Sequence, residues 1–198
     1  MKKYLLKTIS ERHSCRIFKT KPITETDIRK ILTAANQAPS AHNQQSWRFI
    51  LLRDSKKGKL ADLVVKKATC FPKPSSTLLR MAARSIHSAP VVIAVANTGE
   101  LIEGGSRLYK VGQDQVRDFF RTMEIQSSAA AVENMLLAAT CLGIGSVWLG
   151  ILYLIKKEVL EFLQEPVGEF MAVVPIGYPN QRNPGPKKKS LKKIVKYL

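Results

Sequence analysis

The chain is poor in cysteine and in acidic side chains, and each shortage narrows what it can be. Its three cysteines, Cys15, Cys70 and Cys141, are odd in number, far apart and without a CxxC pair. That spacing offers no disulfide framework, no structural zinc site and no ferredoxin-type cluster, and a reducing cytoplasm is the expected compartment. His13, His42 and His87 form no HExxH-type pair, so no metal site is expected. Acidic residues number 15 against 32 basic ones, a formal net charge of +17. A field of that sign favours phosphates, dinucleotides, nucleic acid or acidic lipid without choosing among them. The excess is uneven: residues 182–198 hold seven basic side chains and no acid, which reads as a basic C-terminal arm. The opening Met1-Lys-Lys-Tyr-Leu-Leu-Lys7 lacks an apolar h-region and a cleavage site, so no signal peptide is expected. The uncharged run Met135 to Ile155 is long enough to span a bilayer, but Gly143, Gly145 and Gly150 divide it. It reads as a buried helix, a turn and a strand from Ser146 to Leu152.

Familiar signatures are missing as well. Gly143-Ile-Gly145 lacks the third glycine of a dinucleotide fingerprint and follows a helix, where that fingerprint follows a strand. Gly58-Lys59 has no upstream P-loop glycine, and no Gly-x-Ser-x-Gly elbow supports a hydrolase. No repeat of 20 to 50 residues is visible.

What remains is an ordinary globular composition, 45% hydrophobic and 24% charged over 198 residues, fitting a single domain over 1–198. Helices are expected over Leu5–Glu11, from Thr24 as N-cap to the stop at Pro39, over Lys56–Lys67, Leu78–Ile86, Gln115–Leu142 and Lys157–Leu163. Strands are expected over Trp47–Arg53, Met171–Gly177 and Val91–Ala96, the last an unbroken apolar run suited to a doubly covered central strand. The Gly-containing polar stretch Asn97–Gly112 reads as an excursion or lid, mobile over about 97–114. The class is α+β, a central sheet flanked by helices.

The most telling segment is Ala38-Pro-Ser-Ala-His-Asn-Gln-Gln-Ser-Trp47, a polar loop feeding an apolar strand. It gathers the amide and hydroxyl groups that recognition of a planar, heteroatom-rich ring requires. Upstream stands Arg12-His-Ser-Cys-Arg16. Downstream come Ala138-Ala-Thr-Cys-Leu-Gly-Ile-Gly-Ser146, Ile176-Gly-Tyr-Pro179 and Pro186-Lys-Lys-Lys189. Taken singly these are bland. Arg12 and Arg16 would be surface cations, Trp47 a core anchor, Gly143 and Gly145 a helix C-cap, and the lysines a solvated arm.

In this order and spacing, from about residue 8 to the C-terminus, they resemble the nitroreductase family of FMN-dependent oxidoreductases. The resemblance implies a mostly antiparallel sheet in an intertwined homodimer with shared flavin sites. It implies cofactor-binding roles for Arg12, His13, Ser14 and Arg16, for Pro39, Ser40, Ala41, Asn43 and Gln45, for Val147, Trp148, Leu149 and Gly150, and for Lys187 and Lys188. Arg12, Ser14 and the terminal lysines would hold the phosphate. Arg16 would set a cation beside the flavin N1/O2 edge, and an amide near Leu149–Gly150 would face N5. The Pro39–Asn43 group would reach the flavin of the other subunit. The implied activity is hydride transfer from NADH or NADPH through FMN to a nitroaromatic, quinone or similar acceptor by a ping-pong cycle. The flavin would carry the chemistry, and no catalytic side chain is assigned. Other readings are a flavin-binding protein, a specialised dehydrogenase or dehalogenase on the same fold, and, more remotely, a basic nucleic-acid-associated protein. Neither membrane nor nucleic acid is expected as a partner. Two departures stand out: Ser46 replaces the family's proline before Trp47, and lysine replaces the usual arginine in the terminal basic pair.

Overall fold

A computed structural model describes residues 2–108, 112–165, 167–181 and 185–198. Helix α1 (Lys2–Glu11) leads into an extended segment and then α2 (Glu25–Asn36). Thr24 caps α2, its hydroxyl accepting the Asp27 amide at 3.1 Å, and Glu25 and Asp27 lie in the first turn, where the helix dipole favours acids. Ile28, Ile31 and Ala35 form its buried stripe. There follow β1 (Trp47–Leu52), α3 (Asp54–Ala68), α4 (Ser75–Ser88) and β2 (Val91–Asn97). The rest is α5 (Glu100–Leu108), α6 (Gln113–Cys141), β3 (Gly145–Ser146), α7 (Lys156–Leu163) and β4 (Phe170–Gly177).

The four strands form one antiparallel sheet in the order β1-β2-β4-β3, so the apolar run Val91–Ala96 is central, as its composition demands. Its alternate side chains serve two cores. Val92, Ala94 and Ala96 pack with α3, α4 and α7, and Val91, Ile93 and Val95 pack with α2 and α6. The long, largely apolar second half of α6 is buried on this second face, with Ala131, Val132, Met135 and Ala139 inaccessible to solvent. Among the described residues no helix is long and apolar enough to cross a membrane.

Two expectations are corrected. The strand read over Ser146–Leu152 is paired only at Gly145–Ser146, and a 3-10 turn occupies Gly150–Ile155. The cause lies in β4. The Val147 amide reaches the Pro175 carbonyl at 3.3 Å, but proline has no N–H to return the bond, so the ladder becomes one-sided. The stretch from Asn97, read as a polar excursion or lid, carries a helix the sequence did not announce: residues 100–108 are α5, lying on α6, while residues 109–111 fall outside the described part of the chain. Its glycines misled because glycine weakens a helix in isolation. A Cβ at Gly105 would stand 2.1 Å from the Phe120 ring of α6, so this glycine serves close helix packing.

Candidate functional site

Because β3 is so short, the edge of the sheet is completed by the segment after α1. Ser14 bridges Ser146 in parallel, the Cys15 amide donates to the Ser146 carbonyl at 2.9 Å, and Phe18 bridges Pro179. An extended chain sends alternate side chains to opposite sides. His13 and Cys15 line a groove of about 1040 Å³ together with Gly145, Tyr178 and Gly185. Arg12, Ser14 and Arg16 belong to the other set. Approach of this segment to β3 depends on Gly145, where a Cβ would lie 2.8 Å from the Cys15 Cβ. Burial pushes the Cys15 thiol up, outweighing the Ile17 carbonyl bond and the Arg16 charge, so it is a packing residue and not a reactive one.

The charges along this edge are under-used within one chain. Arg12 meets Glu133 of α6 only at 3.9 Å, and Arg16 has no ion-pair partner among the described residues. The Ser146 hydroxyl is buried beside Ser14 and also lacks a partner among them. Beyond Ser146 the amide of Leu149 is committed to the Val173 carbonyl at 3.0 Å, and the indole of Trp148 donates to the Met171 carbonyl at 3.2 Å. The amide of Gly150, first in its 3-10 turn, has no acceptor among the described residues, and a Cβ at this position would meet nothing within 4 Å. The C-terminal arm returns here: Gly185 lies against His13, where a Cβ would be 2.9 Å from the His13 Cβ. Lys187 and Lys188 follow, both exposed.

The Pro39–Gln45 loop is elsewhere on the same chain. Its Ala41 amide donates to Ser127 of α6 at 3.1 Å, while Arg12 contacts Glu133, six residues and about 9 Å further along that helix. The two groups of predicted site residues thus meet α6 six residues apart. The loop is strained: His42, Asn43 and Gln45 all have φ near +52°, a region few residues other than glycine adopt. It is held there by Ser40, whose hydroxyl accepts the Gln45 amide at 3.0 Å. Strain retained in this way is a recurrent mark of binding sites. Trp47 is a core anchor, its indole donating to Asn36 at 3.0 Å.

One cluster escaped the sequence. Tyr153, in the turn that begins at Gly150, is hydrogen-bonded by Lys156 at 3.1 Å, which lowers its pKa, and lies 3.5 Å from Arg121. Burial pushes the Glu169 carboxyl up, but Arg121 at 2.8 Å and Lys156 at 3.4 Å outweigh it and hold the group below its usual range. Positions 121, 153, 156 and 169 share no spacing that could have announced them.

An anion-bearing, planar, heteroatom-rich group fits this edge, which offers unpaired guanidinium charge, an orphaned hydroxyl and an unused amide in sequence. The comparisons agree. The sequence profile of the Nitroreductase family matches residues 9–178. A protein of Archaeoglobus fulgidus provisionally named an NADH dehydrogenase/NAD(P)H nitroreductase is 36% identical over 179 residues, covering 88% of this chain and 84% of its own. The 5,6-dimethylbenzimidazole synthase of Rhodospirillum rubrum is 26% identical, with 88% and 82% covered. A provisionally named nitroreductase from Desulfovibrio desulfuricans, solved in complex with FMN, superposes with a TM-score of 0.72 at 27% identity over 96% of this chain and 94% of that one. With its antiparallel sheet, its edge segment and its glycine turn in the order the sequence motifs require, this chain belongs to the nitroreductase family.

Proposed function

We propose that this protein is an FMN-dependent oxidoreductase that passes hydride from NADH or NADPH to a nitroaromatic, quinone or similar acceptor. The observation that carries the reading is the edge segment itself. Pairing with Ser146 sets the segment that carries Arg12, Ser14 and Arg16 along the strand leading into the turn at Gly150, whose amide has no acceptor among the described residues. When bound, FMN would supply the redox chemistry, taking hydride at N5 from the nicotinamide and giving it to the acceptor in a ping-pong cycle. The chain's residues bind and tune. Arg12, Ser14 and one or both of Lys187 and Lys188 hold the phosphate, with His13 lining the adjoining groove. Arg16 supplies positive charge at the pyrimidine edge of the ring, favouring its reduced form. Of the two candidate amides facing N5, Gly150 is the better donor because Leu149 is already engaged. Val147 and Trp148 form the rest of that turn.

The site is shared between two copies. Pro39, Ser40, Ala41, Asn43 and Gln45 sit on a loop that meets α6 at Ser127, six residues from the Arg12 contact at Glu133, and in this reading they line the partner's flavin. Exposed apolar side chains on α1 (Tyr4, Leu5, Leu6) and on the arm (Leu191, Ile194, Tyr197) supply surface for such a dimer. The cytoplasm suits its three free cysteines. The likeness to the dimethylbenzimidazole synthase favours a second reading, a specialised reaction of the same cofactor.

The purified protein distinguishes these. A yellow preparation that releases FMN on denaturation, bleaches with NADH or NADPH and is reoxidised by a quinone or nitroaromatic supports the first reading. Bleaching without reoxidation by either acceptor favours the second. A colourless protein that cannot be reconstituted with FMN overturns both, and steep salt-dependent DNA binding would then point to a nucleic-acid role.

A further inference from the structure

The sequence leaves Ser46 unexplained, and what it faces is a buried carboxyl. Glu124 of α6 is fully buried, and its Oε1 accepts the Leu101 amide at 2.9 Å in the first turn of α5. The Gly99 and Ile102 amides and the Ser46 side chain also face the carboxyl, yet burial still pushes its pKa up. Its Oε2 has no partner at hydrogen-bonding distance among the described residues.

The same face of α6 holds two further elements, because residues three and four apart stand side by side on a helix. Ser127 takes the Ala41 amide at 3.1 Å, and Ser128 donates to Asn97 at the end of β2. Ala41 in turn packs on the buried cluster of Leu101, Val116 and Phe120, Gln44 reaches Glu100 at 3.4 Å, and the Thr98 amide donates to the Ser46 carbonyl at 3.1 Å. The strained loop and α5 thus form one assembly, with Glu124 beneath both.

An apolar side chain could fill this place without the cost of burying a carboxyl. What it could not do is accept the amides of α5 while facing Ser46. We propose that Glu124 is a positioning residue. By capping α5 and meeting Ser46 at once, it fixes the Pro39–Gln45 wall against α5 and so sets the geometry that wall offers to the flavin. The assignment rests on the reading of this loop as a flavin wall.

The test titrates apoprotein with FMN, follows quenching of flavin fluorescence, and then measures KM and kcat of the holoenzyme with a soluble benzoquinone. Glu124→Ala raises the FMN dissociation constant about tenfold and raises KM more than it lowers kcat, as a displaced wall requires. Glu124→Gln keeps an acceptor for the α5 amides and stays within about twofold of the unaltered chain. A folded Glu124→Ala protein with unaltered FMN affinity and KM overturns the proposal, as does a Glu124→Gln protein as impaired as the alanine variant. If Glu124→Ala does not fold, Ser46→Ala replaces it, with a rise of about threefold expected and no rise overturning the proposal. An unaltered chain that binds no FMN overturns the site reading and this assignment together, whereas one that binds FMN isolates the failure to Glu124.

Discussion

At the scale of single residues, the site depends on which atoms are already engaged. The Leu149 amide and the Trp148 indole bond to β4, whereas the Gly150 amide has no acceptor among the described residues. Arg16 makes no ion pair among the described residues, and under the proposed function its charge serves the cofactor. Arg16→Ala should therefore weaken FMN retention and slow reduction by NAD(P)H by about 10- to 100-fold, checked by flavin content after gel filtration and by stopped-flow bleaching. Unchanged content and rate would remove Arg16 from the site. Gly145→Ala tests the fit of the edge. Its new Cβ would lie 2.8 Å from the Cys15 Cβ, so the segment carrying Arg12 and Ser14 must shift. We expect a loss of about 1–3 kcal/mol in urea unfolding, accompanied by weaker FMN binding.

At the scale of elements, α5 and the Pro39–Gln45 loop depend on one another through α6. The Glu124 carboxyl gives this arrangement a pH signature. Its folded pKa is raised by burial against the pull of the α5 amides and Ser46. The folded chain therefore keeps a proton over an interval in which the unfolded chain has lost it. The associated stability is complete below the ordinary glutamate range and is lost as pH rises through the folded pKa. Glu124→Gln cannot titrate, so its thermal midpoint should gain on that of the unaltered protein as pH climbs through this window. Parallel midpoint curves from pH 4 to 9 would contradict the assignment. The same scale explains how much the sequence revealed. Thr24, the apolar stripe of α2 and the unbroken run of β2 were legible because their signals are local. The helix over residues 100–108 was not, because one of its apparent stop signals, Gly105, serves packing and its cap is supplied by a residue over twenty positions away. The short β3 was hidden for a related reason, as the missing donor belongs to Pro175 on another strand.

At the scale of the whole molecule, the two halves of the predicted site meet α6 six residues apart, and the dimer proposed above would let each half serve the other copy's flavin. FMN at about 100 times its dissociation constant should add about 2.7 kcal/mol to the folded state, or about 5–10 °C in thermal midpoint for a chain of this size. Replacing Leu191 and Ile194 of the arm by aspartate should move the protein toward monomer in sedimentation velocity and lower its FMN content together. A dimer that persists with full flavin would exclude the arm from the interface. The net charge of +17 needs no nucleic acid under this reading, since a general positive field also favours a phosphate-bearing cofactor and a phosphate-bearing donor.

The sequence alone determined the family, the order of the motifs and the residue types a flavin requires, because such motifs are runs of neighbours whose chemistry survives without coordinates. Tertiary structure decided how the edge segment pairs with Ser146, that the Leu149 amide is engaged, and that Ser46 faces Glu124. These are contacts between segments far apart in the chain, and only the packed sheet and α6 bring them together.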